Sequence, residues 1–111
     1  MNTIPRAFPV KSKEAILEFA KAIDEWSTAD KKVFMDAFGN SIERWYYQEL
    51  DGKPHLISIA EIDNMEGYKH LQNSDDLFTV WFRQQVVDTC GIDLTMEPKG
   101  PATELMFEFH A

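Results

Sequence analysis

Side chains able to do chemistry are few in this chain, and they are scattered. The three histidines, His55, His70 and His110, stand in none of the spacings, such as H-E-x-x-H, that place two imidazoles on one metal ion. The lone cysteine, Cys90, has no second thiol to bridge or to share a zinc ion. Placed at an apolar helix end just before Gly91, it reads as a buried structural thiol rather than a nucleophile. No P-loop, G-x-G-x-x-G or nucleophile elbow occurs, so nucleotide, dinucleotide and serine hydrolase chemistries are disfavoured. Neither a cofactor nor a metal site is expected. His110 shares a strand face with Glu108, a carboxylate able to orient it, and it joins His55 as a candidate general base.

Binding residues stand out more than catalytic ones. Arg44 alternates with Tyr46 on an internal strand, where a cation costs free energy unless an acid of the chain, a twin chain or a ligand pairs with it. Beside it, Trp45, Tyr46 and Tyr47 form one aromatic cluster, Phe78, Trp81 and Phe82 a second, and Phe107 and Phe109 a third. Most of these rings fill a core. The surplus, with Arg44 as a charge-assisted anchor and His110 nearby, suits a trough for a small apolar or fatty-acid-like molecule.

These residues need elements to hold them. Ile4, Phe8 and Val10 alternate in a strand from Ile4 to Val10, with Pro5 and Pro9 marking it as short or edge-like. Ser12 caps a helix carrying Ala15, Ile16, Phe19, Ala20, Ile23 and Trp26, and Ser27 opens either a bend or a second helix that Gly39 stops. Strands from Ser41 to Leu50 and from His55 to Ile62 flank an Asp51-Gly52 turn. A short helix over Asn64 to Gln72 precedes a longer one that Ser74 caps and Gly91 ends. After a loop at Pro98 to Pro101, a last strand runs Thr103 to His110, with Leu105, Phe107 and Phe109 on one side.

The order strand, helix, strand, strand, helix, strand predicts an α+β fold of ferredoxin-like βαββαβ type, with helices on one face of a four-stranded antiparallel sheet. At 111 residues the chain is expected to form a single ferredoxin-like domain over 1–111. Its middle strands are apolar on both faces, yet one helix layer covers only one. A second copy packed sheet to sheet is the simplest cover, so a homodimer is expected.

Charge narrows the partners further. Asp and Glu number 19 against 11 Lys and Arg, a formal charge of -8 that repels phosphate backbones and anionic lipid. No nucleic acid and no membrane partner is expected. No apolar run approaches a span or a signal peptide, and a reducing cytoplasm is the expected compartment.

Strand order, the two-sided sheet, the segment Asn73-Ser74-Asp75-Asp76-Leu77-Phe78-Thr79-Val80-Trp81-Phe82-Arg83 and the following Cys90-Gly91-Ile92-Asp93-Leu94 together resemble the dimeric α/β-barrel superfamily. The likeness is nearest to small bacterial members of unassigned function. It implies two ferredoxin-like domains packed sheet to sheet, with clefts that hold small apolar or aromatic molecules. Some relatives are cofactor-free monooxygenases and others handle haem, but no catalytic set of theirs matches residues here. A cofactor-independent oxygenase or isomerase acting on a similar apolar substrate is the alternative to a binding protein.

Overall fold

The computed structural model describes residues 2–63, 66–96 and 103–111. In chain order they form β1 (Asn2–Pro9), α1 (Lys13–Asp24), α2 (Thr28–Ala37), β2 (Asn40–Leu50), β3 (Lys53–Ile62), α3 (Glu66–Asn73) and α4 (Leu77–Cys90). The first helical region is two helices because each has its own cap. Ser12 Oγ accepts from the Ala15 amide, and Ser27 Oγ accepts from the Asp30 amide at 3.0 Å. Asp51 (φ 53°) and Gly52 (φ 73°) are both left-handed, as a two-residue hairpin turn between right-twisted strands requires. The cap of α4 is Asp76, whose Oδ2 accepts from the Thr79 amide, while Ser74 closes the turn before it. The start of the expected helix at Asn64 and Met65, and the expected loop at Pro98 to Pro101, lie outside the described residues.

The strands form an antiparallel sheet in the order β1-β3-β2. Its register sorts side chains into rows: Ile4, Ala60 and Glu43; Arg6, Ser58 and Trp45; Phe8, Leu56 and Tyr47 share one face. Helices pack on that inner face. Phe19, Phe34, Phe38, Leu71, Phe82 and Val86 make the main core with Trp45 against it, and Val10, Ile16 and Leu56 make a second cluster beside Phe8. The rows of the outer face are Pro5, Ile59 and Arg44, and Ala7, Ile57 and Tyr46. There Ile42, Tyr46 and Leu50 are exposed.

The expected four-stranded ferredoxin-like sheet is corrected by this structure: among the described residues the sheet has three strands, four helices accompany it, and residues 103–111 form no strand. The physical reason lies in β1. Val10 N donates to Pro54 O at 3.1 Å, so Val10 and its even-numbered neighbours turn their backbone groups toward β3. Thr3, Pro5, Ala7 and Pro9 therefore face the free edge, and the two prolines have no N–H to offer a fourth strand. Thr103 Oγ donates to the Pro5 carbonyl at 2.8 Å, but the chain beyond it leaves the sheet. Leu105, Phe107 and Phe109 are 75–83% exposed. No helix among the described residues is long and apolar enough to cross a membrane.

Candidate functional site

Between the inner sheet face and the helices lies a cleft of about 490 Å³, within the range of small-molecule sites. Its walls are mostly apolar: Phe8, Leu56, Ala60 and Ile62 from the sheet, Phe19, Phe38, Leu71, Phe82 and Val86 from the helices, and Ile92 and Leu94 beyond α4. Four polar side chains of the sheet also face it: Arg6, Asn40, Glu43 and Ser58.

Glu43 is the hub of this polar group. Its Oε1 accepts from Trp45 Nε1 at 3.0 Å and from the Ser58 hydroxyl at 3.4 Å, and its Oε2 accepts from Asn40 Nδ2 at 3.2 Å. Burial pushes the Glu43 carboxyl above the ordinary 4.5, against three hydrogen bonds that favour its charged form. Asn40 is 5% exposed, and its Oδ1 has no hydrogen-bond partner among the described residues. A buried acceptor left unmet costs free energy that a ligand donor recovers. Arg6 stands at the other side of the same face, its guanidinium 5.7 Å from the Tyr68 ring centroid.

A local irregularity brings Asn40 and Glu43 together. Strict alternation places residues three apart on opposite sheet faces. The register shift between Asn40 and Ile42 makes Ser41 an extra residue in β2, which returns Asn40 to the face of Glu43. Gly39, at φ 65°, turns the chain from α2 into this bulge.

Of the residues singled out from the sequence, Trp45 and Phe82 line the cleft. Arg44 and Tyr46 lie on the outer sheet face, exposed. Tyr47 sits on the inner face near its end, its hydroxyl donating to Glu49 Oε1 and its ring beneath Lys13. Phe78 and Trp81 pack against Trp26 in the helix layer, with Phe78 also edging a dent of about 140 Å³ beside His70. Phe107, Phe109 and His110 lie on the exposed C-terminal segment, where His110 Nε2 meets Glu108 at 2.9 Å. No histidine lines the cleft; His55 Nδ1 lies 2.9 Å from the Lys53 carbonyl. Sequence reasoning missed Glu43, Asn40, Ser58 and Arg6. The available signal was that Glu43 alternates in phase with Trp45 and Tyr47.

Cys90 also reaches the cleft wall, half-buried, and burial raises its thiol against the hydrogen bond it shares with Thr89 Oγ1. Among the described residues no cluster of His, Cys, Asp or Glu is arranged to hold a metal ion. No protein-family model, curated protein or solved structure matches the chain.

Proposed function

We propose that the cleft binds a small, elongated, largely apolar molecule, and that the protein is a cytoplasmic homodimer. One observation carries the ligand reading: an apolar space of about 490 Å³ whose floor holds a few converging polar groups. The body of the ligand lies along Phe8, Leu56, Phe82 and Val86. A fatty-acid-like or aromatic acid sets its carboxylate at Arg6, the one cation among the described lining residues. A hydroxyl or amine on the same molecule donates to Glu43 or to the unmet Asn40 Oδ1. Plain fatty acids, their hydroxylated analogues and aromatic acids should therefore raise the melting temperature, hydroxylated ones most, by an amount that grows with concentration. An unchanged melting temperature across that panel at millimolar concentration would overturn the reading.

The homodimer is supported by the outer face, where Ile57 and Ile59 lie in rows with Pro5, Ala7 and Tyr46, and Ile42 and Leu50 are exposed. No helix among the described residues covers that patch, and a second copy supplies a matching one.

A second reading, a cofactor-independent isomerase or oxygenase on a similar apolar substrate, is favoured by Glu43 alone. A carboxyl with a raised pKa facing an apolar cleft is poised to take and return a proton. Solvent deuterium entering the α-position of an apolar ketone, and failing to do so with Glu43→Gln, is its expected signature; no exchange above the buffer rate refutes it.

A further inference from the structure

The C-terminal segment is patterned like a strand and is bonded like none. Leu105, Met106, Phe107 and Phe109 are 75–84% exposed, although a chain of this size normally hides such side chains. Its base is held at β1, where Thr103 Oγ meets the Pro5 carbonyl. That edge is blunted by Pro5 and Pro9. The opposite edge of the sheet is β2, eleven residues long with no proline. Because Val10 and Pro54 fix which residues of β3 face β1, Gln48, Tyr46 and Arg44 face β3, and Trp45, Tyr47 and Glu49 turn their N–H and C=O groups outward. An open edge of that length is a template for another strand.

The arm serves its own β2 poorly. It would have to cross about three strand spacings, roughly 14 Å, and so spend roughly half of residues 104–111 before reaching it. We propose that residues 104–111 of one chain pair along the β2 edge of a second copy, which no described strand covers, and that the second copy returns the same arm. This rests on the homodimer proposed above and specifies how it closes. Leu105, Phe107 and Phe109 lie beside Trp45 and Tyr47 as cross-strand apolar pairs. The alternate row, with Glu104 and Glu108, falls on the side of Arg44, which is exposed and makes no ion pair with any described residue. The area fits a stable dimer. Four large apolar side chains per arm bring roughly 600 Å², and two reciprocal arms with the surface they cover reach the size of a standard interface, about 1,600 Å² or more.

The test uses the full-length chain with a photoreactive benzoylphenylalanine at position 107, irradiated at micromolar concentration, and light scattering of the parent chain beside two variants. The expected result is a covalent dimer whose cross-link maps to residues 43–49 of the other chain. Removing residues 104–111, or the gentler Phe107→Asp, is expected to weaken dimerisation by at least about 100-fold. Circular dichroism of both variants confirms that they are folded. A cross-link confined to β1 of the same chain, or an arm-deleted protein that dimerises as tightly as the parent, overturns the arm exchange and leaves the homodimer standing. A parent chain that is monomeric at 100 µM overturns both.

Discussion

Replacing Glu43 by glutamine should make the protein more stable at neutral pH and worse at binding. The substitution keeps the shape of the side chain and an oxygen to accept from Trp45 Nε1 and Ser58; its amide nitrogen replaces the Oε2 that accepted from Asn40 Nδ2 and can donate instead to the unmet Asn40 Oδ1 once that amide turns over, and a charge that burial disfavours is removed. A carboxyl whose folded pKa is raised above its unfolded value holds its proton more tightly in the folded chain. Its favourable contribution is full below the unfolded value, ordinarily 4.5, and is lost as pH rises through the folded pKa. The parent and Glu43→Gln should therefore melt alike near pH 4, and the variant should gain as pH rises toward 7. Replacing buried ionic groups by neutral ones of similar volume ranges from neutral to stabilising by about 1–4 kcal/mol, and with three hydrogen bonds already favouring the charge the gain at Glu43 is expected at the lower end, about 1–2 kcal/mol. For a domain of about 100 residues that is roughly 5–10 °C in melting temperature. Affinity for a ligand that donates to the carboxylate falls at least about tenfold, the worth of one charge-assisted hydrogen bond. Differential scanning calorimetry of both proteins from pH 4 to 8 is the assay. A variant that melts below the parent at pH 7, or a gap that does not change with pH, would refute the reading of Glu43 as an acid whose burial outweighs its three hydrogen bonds.

Three further outcomes follow from packing. A Cβ added at Gly67 overlaps the backbone carbonyl of Phe38, so Gly67→Ala forces α3 away from α2 and should cost about 2–4 kcal/mol by urea unfolding; a loss under 1 kcal/mol contradicts the close approach. Arg83 donates to the carbonyls of Leu71 at 3.0 Å and Ser74 at 2.6 Å, tying the α3–α4 turn to α4; Arg83→Met should cost about 2–3 kcal/mol and raise hydrogen exchange in residues 71–77, whereas unchanged exchange there dissociates Arg83 from the turn. The Cys90 thiol, half-buried and with its pKa raised, should react with a thiol-disulfide reagent at pH 7 at least about tenfold more slowly than a free cysteine, and bound ligand should slow it further. Reaction at the free-cysteine rate contradicts its placement.

Local signals in the sequence read well, and long-range ones less so. Ser12, Ser27, Asp51-Gly52 and Gly91 announced caps and turns because each acts on its own neighbours within a few residues. Alternation in β2 paired Arg44 with Tyr46 on one face, as the structure does. The fourth strand was misjudged because alternation in Leu105, Phe107 and Phe109 speaks for a strand but not for a partner, while Pro5 and Pro9 remove donors from the free edge of β1 beside which Thr103 lies. The polar floor of the cleft was missed for a different reason. A glutamate in a strand ordinarily marks the solvated face, and Asn40 joins it only through the extra residue at Ser41, a shift that no periodicity reveals. Arg44 drew attention for its type and strand, yet it falls on the face away from the cleft, and Arg6 stands in the cleft instead.

The most direct test of the cleft as a binding site is a fluorine spectrum of the protein labelled with 5-fluorotryptophan, titrated with hydroxylated fatty and aromatic acids. The chain has three tryptophans: Trp45 lines the cleft and donates to Glu43, while Trp26 and Trp81 pack with Phe19, Phe34 and Phe78 in the helix layer. The predicted result is a saturable shift of the Trp45 resonance with little movement of the other two, lost or weakened in Glu43→Gln. Saturable binding that moves Trp26 or Trp81 and leaves Trp45 in place, or no shift with any member of the panel, would contradict it.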